Sequence, residues 1–225
     1  MFCIKICGVT TVDDARAVVE AGADAVGLNF YPKSPRCIGL DQARRIIAAL
    51  PDNPDEMAKV GLFVNAAAED VCRTFDQLGL DLIQLHGDEP PEYLVSLAGR
   101  PVMRAFRLGQ QGLRPVGRYL EHCQRLRCAP RTVLIDSHVE GVLGGSGQVA
   151  DWRALQTWSD LPPHGTAPPM VLAGGLTPEN VAEAIRTVCP AAVDTASGVE
   201  SAPGRKDRSK VEAFVRAARA AFDSL

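Results

Sequence analysis

Residues 60–88 read VGLFVNAAAEDVCRTFDQLGLDLIQLHGD. The run 60–64 is apolar throughout and 82–85 nearly so, with none of the alternation of a half-exposed strand. Strands of that kind belong to parallel sheets covered on both faces. Between them Val71, Phe75 and Leu78 recur at helical spacing on one face. The stretch therefore reads as strand, crossover helix and parallel strand.

Working outward, the same unit repeats. Further apolar runs fall at 2–6, 25–30, 102–106, 132–135, 170–173 and 192–194. Helical stripes separate them: Val12, Ala15 and Val19, with Gly22 as a C-terminal stop; Ala43, Ile46, Ile47 and Leu50, closed by Pro51; and Val211, Phe214, Val215, Ala218 and Phe222. Thr177-Pro178-Glu179 has the form of an N-cap followed by proline at the first helical position. Eight strands alternating with helical segments predict a single (β/α)8 TIM barrel over residues 1–225, with no composition break to mark a second domain. A doubly wound open sheet is the competing architecture. It loses ground because no GxGxxG follows the first strand, and Gly144-Gly145-Ser146-Gly147 lacks the Lys-Ser/Thr ending of an NTPase loop.

Composition removes several function classes. A net charge of -3 gives no electrostatic case for nucleic acid or an anionic membrane. No apolar run approaches the roughly 18–20 residues that span a bilayer, and residues 1–5 do not have the form of a signal peptide. Seven scattered cysteines without a CxxC pair favour neither disulfides nor zinc, and a reducing cytoplasm is the expected compartment. An anionic ligand must then be held locally.

In such barrels the chemistry lies at the C-terminal ends of the strands. That rule nominates Cys7, residues 30–36, His86, Asp136, Gly174-Gly175 and residues 194–200. Cys7 ends the first run, and Gly8 beside it would let a substrate approach the backbone. A thiol there is either a base, once cationic neighbours help it ionise, or a small buried apolar side chain. Asp136 ends the run Thr132-Val133-Leu134-Ile135; a poorly solvated carboxyl tends to keep its proton, as a general acid must. The alternative is a loop hydrogen bond to Ser137. Arg36 follows Pro32 and Pro35, which would stiffen its loop and hold a guanidinium fork for a carboxylate; a weak surface ion pair is the alternative. His86 and Asp194 also sit at strand ends, as substrate contacts or as structural hydrogen-bonding groups. Glycine-rich segments after strands six, seven and eight (Gly144, Gly145 and Gly147; Gly174 and Gly175; Ser197 and Gly198 after Ala196) suit backbone binding of phosphate, which needs no net positive charge.

These segments resemble, in order, the motifs of the phosphoribosylanthranilate isomerases. Lys5-Ile6-Cys7-Gly8-Val9-Thr10 is similar to the family's opening motif, and residues 27–36 (GLNFYPKSPR) to its second. Residues 60–65, 83–89, 172–181 and 193–200 continue the match over essentially the full chain. The resemblance implies an Amadori rearrangement of N-(5'-phosphoribosyl)anthranilate to the 1-deoxyribulose 5-phosphate isomer, in tryptophan biosynthesis. By position, Asp136 would protonate the ring oxygen, Cys7 would remove the proton at C2', Arg36 would hold the anthranilate carboxylate, and the three glycine-rich loops would bind phosphate. No metal or redox cofactor is expected, only a small phosphorylated substrate, and the chain would be a monomer or a homodimer. Two departures stand out: Gln148-Val149-Ala150 precede Asp151-Trp152 where the family usually has an aromatic, and Ala196 stands where a second serine is common.

Rival readings fare worse. An indole-glycerol-phosphate synthase would want lysine and glutamate at the strand ends. A metal-dependent epimerase needs clustered ligands, and His86 is the one histidine of four that ends a strand. The remaining alternative is a catalytically silent barrel that binds a phosphorylated ligand.

Overall fold

In a computed structural model describing residues 2–137, 152–161 and 167–225, eight parallel strands close into a barrel in sequence order. They are β1 (Ile4–Cys7), β2 (Ala25–Asn29), β3 (Ala58–Phe63), β4 (Leu82–Leu85), β5 (Val102–Arg107), β6 (Thr132–Asp136), β7 (Met170–Ala173) and β8 (Ala192–Thr195). Among the described residues seven α-helices accompany them: α1 (Val12–Glu20), α2 (Leu40–Ile47), α3 (Ala68–Leu78), α4 (Pro91–Ser96), α5 (Arg114–Leu126), α6 (Val181–Val188) and α7 (Arg208–Phe222). Among the described residues the crossover from β6 to β7 carries two 3-10 turns, Trp152–Leu155 and Trp158–Asp160, in place of an α-helix.

The barrel divides its residues by parity, because successive side chains of a strand point to opposite faces. Ile4, Ile6, Val26, Leu28, Ile83, Leu85, Val133, Ile135 and Leu172 face outward and pack with the helices in one large core. Ala25, Val60, Leu82, Met103, Leu134, Val171 and Ala192 face inward and fill the lumen with Phe2. Lys5 and Cys7 share the inward parity of β1, so the strand that opens the chain points its two most reactive side chains into the barrel.

One expectation needs correction. The helix after β7 starts at Val181, not at Pro178. Asn180 Oδ1 accepts from the Thr177 backbone N–H at 2.8 Å and its Nδ2 donates to the Gly175 carbonyl at 3.0 Å, closing a turn where sequence suggested the first helical turn. A feature absent from the sequence reading also lies between β8 and α7: a short hairpin of β9 (Glu200–Ala202) and β10 (Arg205–Lys206). Its tip is docked on the first βα loop, where Thr10 Oγ1 donates to the Gly204 carbonyl at 2.6 Å. That contact places Glu200 and Lys206 over the barrel mouth.

Candidate active site

Cys7 is the last residue of β1 and is buried. Directly across β2 its register partner is Gly27. A Cβ at position 27 would lie 2.6 Å from Cys7 Sγ and 3.0 Å from Lys5 Nζ, so the missing side chain is what lets sulfur and ammonium meet. Lys5 is fully buried, and its Nζ donates to Asp194 Oδ1 at 2.7 Å. The two residues are register partners across the β1–β8 seam, so closing the barrel forms the pair. Burial works against the Lys5 ammonium, but Asp194 and Cys7 outweigh it and raise its pKa. Removing one member alone would strand a buried charge, at a cost of about 3–5 kcal/mol.

Burial pushes the Cys7 thiol up, because a thiolate is poorly solvated there. The Lys5 ammonium and that of Lys206 pull it back, while the Asp194 carboxylate adds to the rise.

Arg36 lies beside this group. Its Nε donates to Glu200 Oε1 at 2.7 Å and its Nη2 to Oε2 at 2.6 Å, a fork-to-fork pair. Lys206 Nζ reaches the same carboxylate at 3.0 Å and the Ala196 carbonyl at 3.0 Å. Burial alone would raise the Glu200 pKa, yet Arg36 and Lys206 hold it below the usual range. The hydrogen bonds to Glu200 likewise raise Arg36. Lys206, largely buried, is pushed down despite Glu200. What holds Arg36 is therefore Glu200 more than the two prolines. Its loop is tied further by Asn29, whose Nδ2 donates to Ser34 Oγ at 3.2 Å, and by the Arg36 N–H, which donates to the same oxygen at 3.1 Å. Gly8 also has a different use from the one expected. At φ +72° it is packed under the Arg36 stem, and a Cβ there would run into Arg36 Cδ. A guanidinium has five N–H donors. With the Nε/Nη2 edge on Glu200, the Nη1/Nη2 edge faces away from that carboxylate.

On the far side of the mouth, Asp136 is the last residue of β6. Its side chain keeps 24% of its surface open, more solvent than the apolar strand ends suggested. His86 follows β4, and its Nε2 stands 3.8 Å from Asp136 Oδ2, an electrostatic contact too long for a hydrogen bond. Burial lowers the His86 pKa, against the smaller opposite pull of Asp136, so the ring is neutral at neutral pH. Gln84 Nε2 lies 3.0 Å from His86 Nδ1. An amide N–H donating there leaves the ring proton on Nε2, facing Asp136.

Gly174 and Gly175 follow β7 with φ of 95° and 66°, and Ser197 and Gly198 follow β8 after Ala196. The two loops are locked together: Thr195 Oγ1 donates to the Leu176 carbonyl at 2.7 Å. A Cβ on Gly198 would collide with that same carbonyl oxygen. Gly198→Ala is therefore expected to cost about 1–3 kcal/mol, lowering the unfolding midpoint by roughly 2–4 °C per kcal/mol. Thermal unfolding followed by circular dichroism checks it, and an unchanged midpoint would show that the two loops separate freely. Gly144, Gly145 and Gly147, with residues 148–150, lie outside the described residues.

The barrel brings together Cys7, Arg36, His86, Asp136, Asp194 and the loops at 174–175 and 196–198, all at its C-terminal mouth. Sequence reading gave Lys5 and Lys206 no place in the site, and included Glu200 only within the nominated range 194–200, without a role. A cue existed for the first: a lysine at the inward parity of an apolar strand. Among the described residues no cluster of three or more His, Cys, Asp or Glu side chains has a metal-binding arrangement. Carboxylates at the opposite end of the barrel hold strand backbone, Asp24 taking the N–H groups of Cys3 and Ile4 and Asp81 that of Lys59.

A family model for N-(5'-phosphoribosyl)anthranilate (PRA) isomerase matches residues 4–217. An N-(5'-phosphoribosyl)anthranilate isomerase of Pseudomonas fluorescens is 46% identical over 96% of this chain and 94% of its own. The crystal structure of the phosphoribosyl anthranilate isomerase from Thermotoga maritima superimposes with a TM-score of 0.81 at 39% identity, over 98% of this chain and all of that one. A phosphoribosyl anthranilate isomerase solved in complex with reduced 1-(o-carboxyphenylamino)-1-deoxyribulose 5-phosphate gives 0.79 at 37% identity, covering 98% of this chain and 100% of its own.

Proposed function

The chain belongs to the N-(5'-phosphoribosyl)anthranilate isomerase family, and from that premise we propose that Cys7 and Asp136 carry the two proton transfers of the isomerisation. It is an enzyme of the aldose–ketose isomerase type, catalysing the Amadori rearrangement of N-(5'-phosphoribosyl)anthranilate in tryptophan biosynthesis. The observation that carries the residue assignment is that one thiol and one carboxyl end β1 and β6 on the same barrel mouth, with the Arg36 fork beside the thiol.

Asp136 gives its proton to the furanose ring oxygen, the C1'–O bond breaks, and the anilino nitrogen lone pair forms an iminium. Cys7, as thiolate, takes the proton from C2'. The C2'–H electron pair becomes the enamine double bond and the iminium electrons return to nitrogen. Tautomerisation of the enolamine gives the ketone. Each proton-transfer group typically contributes about 10²–10⁴-fold.

Arg36 offers its Nη1/Nη2 edge to the anthranilate carboxylate while Glu200 fixes the other edge. The backbone at 174–175 and 196–198 takes the phosphate, together with Gly144, Gly145 and Gly147. With Ala196 in place of a serine, one hydroxyl donor fewer is available there. His86, neutral, and Asp194, held by Lys5, border the sugar. The reading also places one barrel domain over the whole chain in a reducing cytoplasm, which agrees with seven free cysteines. No helix of the described residues is long and apolar enough to cross a membrane.

The test generates the substrate in situ from anthranilate and phosphoribosyl pyrophosphate with the corresponding transferase, then follows loss of its fluorescence. A folded protein without activity would move the silent phosphate-binding barrel to first place. Arg36→Met addresses the carboxylate grip. A charge-assisted hydrogen bond contributes about 1.5–3 kcal/mol, so KM is expected to rise roughly 10–100-fold with kcat changed far less. An unaltered KM would remove Arg36 from the substrate site.

A further inference from the structure

We propose that Lys5 is a positioning residue for the base: its buried ammonium, clamped by Asp194, holds the Cys7 sulfur and balances the negative charge that sulfur carries as a thiolate, before it takes the proton. The inference rests on Cys7 as the general base. It starts from a difficulty in that reading, since a thiol buried in an apolar barrel is poorly suited to ionise.

Geometry supplies the answer. Lys5 and Cys7 lie two residues apart on one strand and so share its inward face. Gly27 leaves the gap across which Sγ and Nζ meet, each within 3.0 Å of the position its Cβ would occupy. Asp194 Oδ1, 2.7 Å from Nζ on the other side, keeps the ammonium charged despite full burial. A lysine without an assigned partner is rarely found in a barrel lumen. Here the carboxylate explains its charge and the sulfur explains its place. The register across β1–β8 fixes the arrangement, because a slip of one residue would turn Lys5 outward.

The charged groups facing the thiol are Lys5 from β1, Asp194 from β8, Lys206 from β10 and Arg36 from the loop after β2. Lys206 and Arg36 are both engaged by Glu200, whereas the Lys5 ammonium faces the sulfur across the space that Gly27 leaves open. Lys5 is thus the cation most directly coupled to the thiolate. Its loss should show in when Cys7 ionises, which a residue that merely fills space would not affect.

The experiment titrates the thiolate ultraviolet absorbance of each protein, minus that of its Cys7→Ser counterpart, and records the pH profile of kcat/KM. Lys5→Met keeps the volume and removes the charge. Its thiolate midpoint and the ascending limb of kcat/KM are expected to move up together by about 1–3 pH units. At neutral pH kcat then falls about tenfold for each unit, with little change in KM. If Lys5→Met fails to fold because Asp194 is stranded, Lys5→Met/Asp194→Asn is compared with Asp194→Asn. The midpoint is expected higher in the double variant. Coincident midpoints within either pair, whatever the loss of activity, would overturn the proposal. Near-normal turnover by Cys7→Ser would instead overturn the general-base reading and the positioning role with it, and the two failures are told apart by which protein shows them.

Discussion

Cys7→Ser is expected to lower kcat by about 10²–10⁴-fold while leaving KM within a few-fold of the parent. Serine keeps nearly the same shape at the end of β1, so the register with Gly27 and the packing against Lys5 are retained. What disappears is an ionisable group. An alcohol is a far weaker acid than a thiol, and the two cations that pull the Cys7 thiol down cannot bring a hydroxyl into range against the same burial. Steady-state kinetics in the fluorescence assay decide it, with circular dichroism to establish folding. A kcat near that of the parent would show that another group takes the C2' proton.

Asp136→Asn is expected to have an effect of similar size by the opposite half of the chemistry. The amide occupies the same space and can donate a hydrogen bond to the ring oxygen, but it cannot transfer a proton, so ring opening should become the slow step. A second readout comes from His86. The Asp136 carboxylate, 3.8 Å from Nε2, raises the imidazole against the burial that lowers it. Its loss should lower the His86 pKa further, visible as an earlier fall from the protonated chemical shift as pH rises. Normal turnover would remove Asp136 as the acid. A His86 titration identical to the parent would show that the two side chains do not sense each other in solution.

The barrel was legible because its strands are apolar on both faces and its helices on one. Boundaries were blurred where a charge interrupts the pattern. β3 begins at Ala58 rather than two residues later because Lys59, paired in register with Val26, turns its ammonium toward the Asp52 carbonyl and Asp81. The candidate site was legible wherever a polar residue ends an apolar strand, which picked out Cys7, His86, Asp136 and Asp194. Arg36 was found for its loop, but its anchor was not.

The sequence by itself determined the architecture and which polar side chains stand at the barrel mouth, since both follow from local pattern: the parity of apolar residues and the type of residue at a strand end. Only the tertiary structure decided which charges those side chains face. Lys5 meets Asp194 across 189 residues of chain and Arg36 meets Glu200 across 164. In each case a charge that looks solvent-bound in isolation becomes buried when the barrel closes. A buried charge is tolerable only with its partner in place, and partners so distant in sequence are assigned by the closing seam and the β9–β10 hairpin, not by any stretch that contains them.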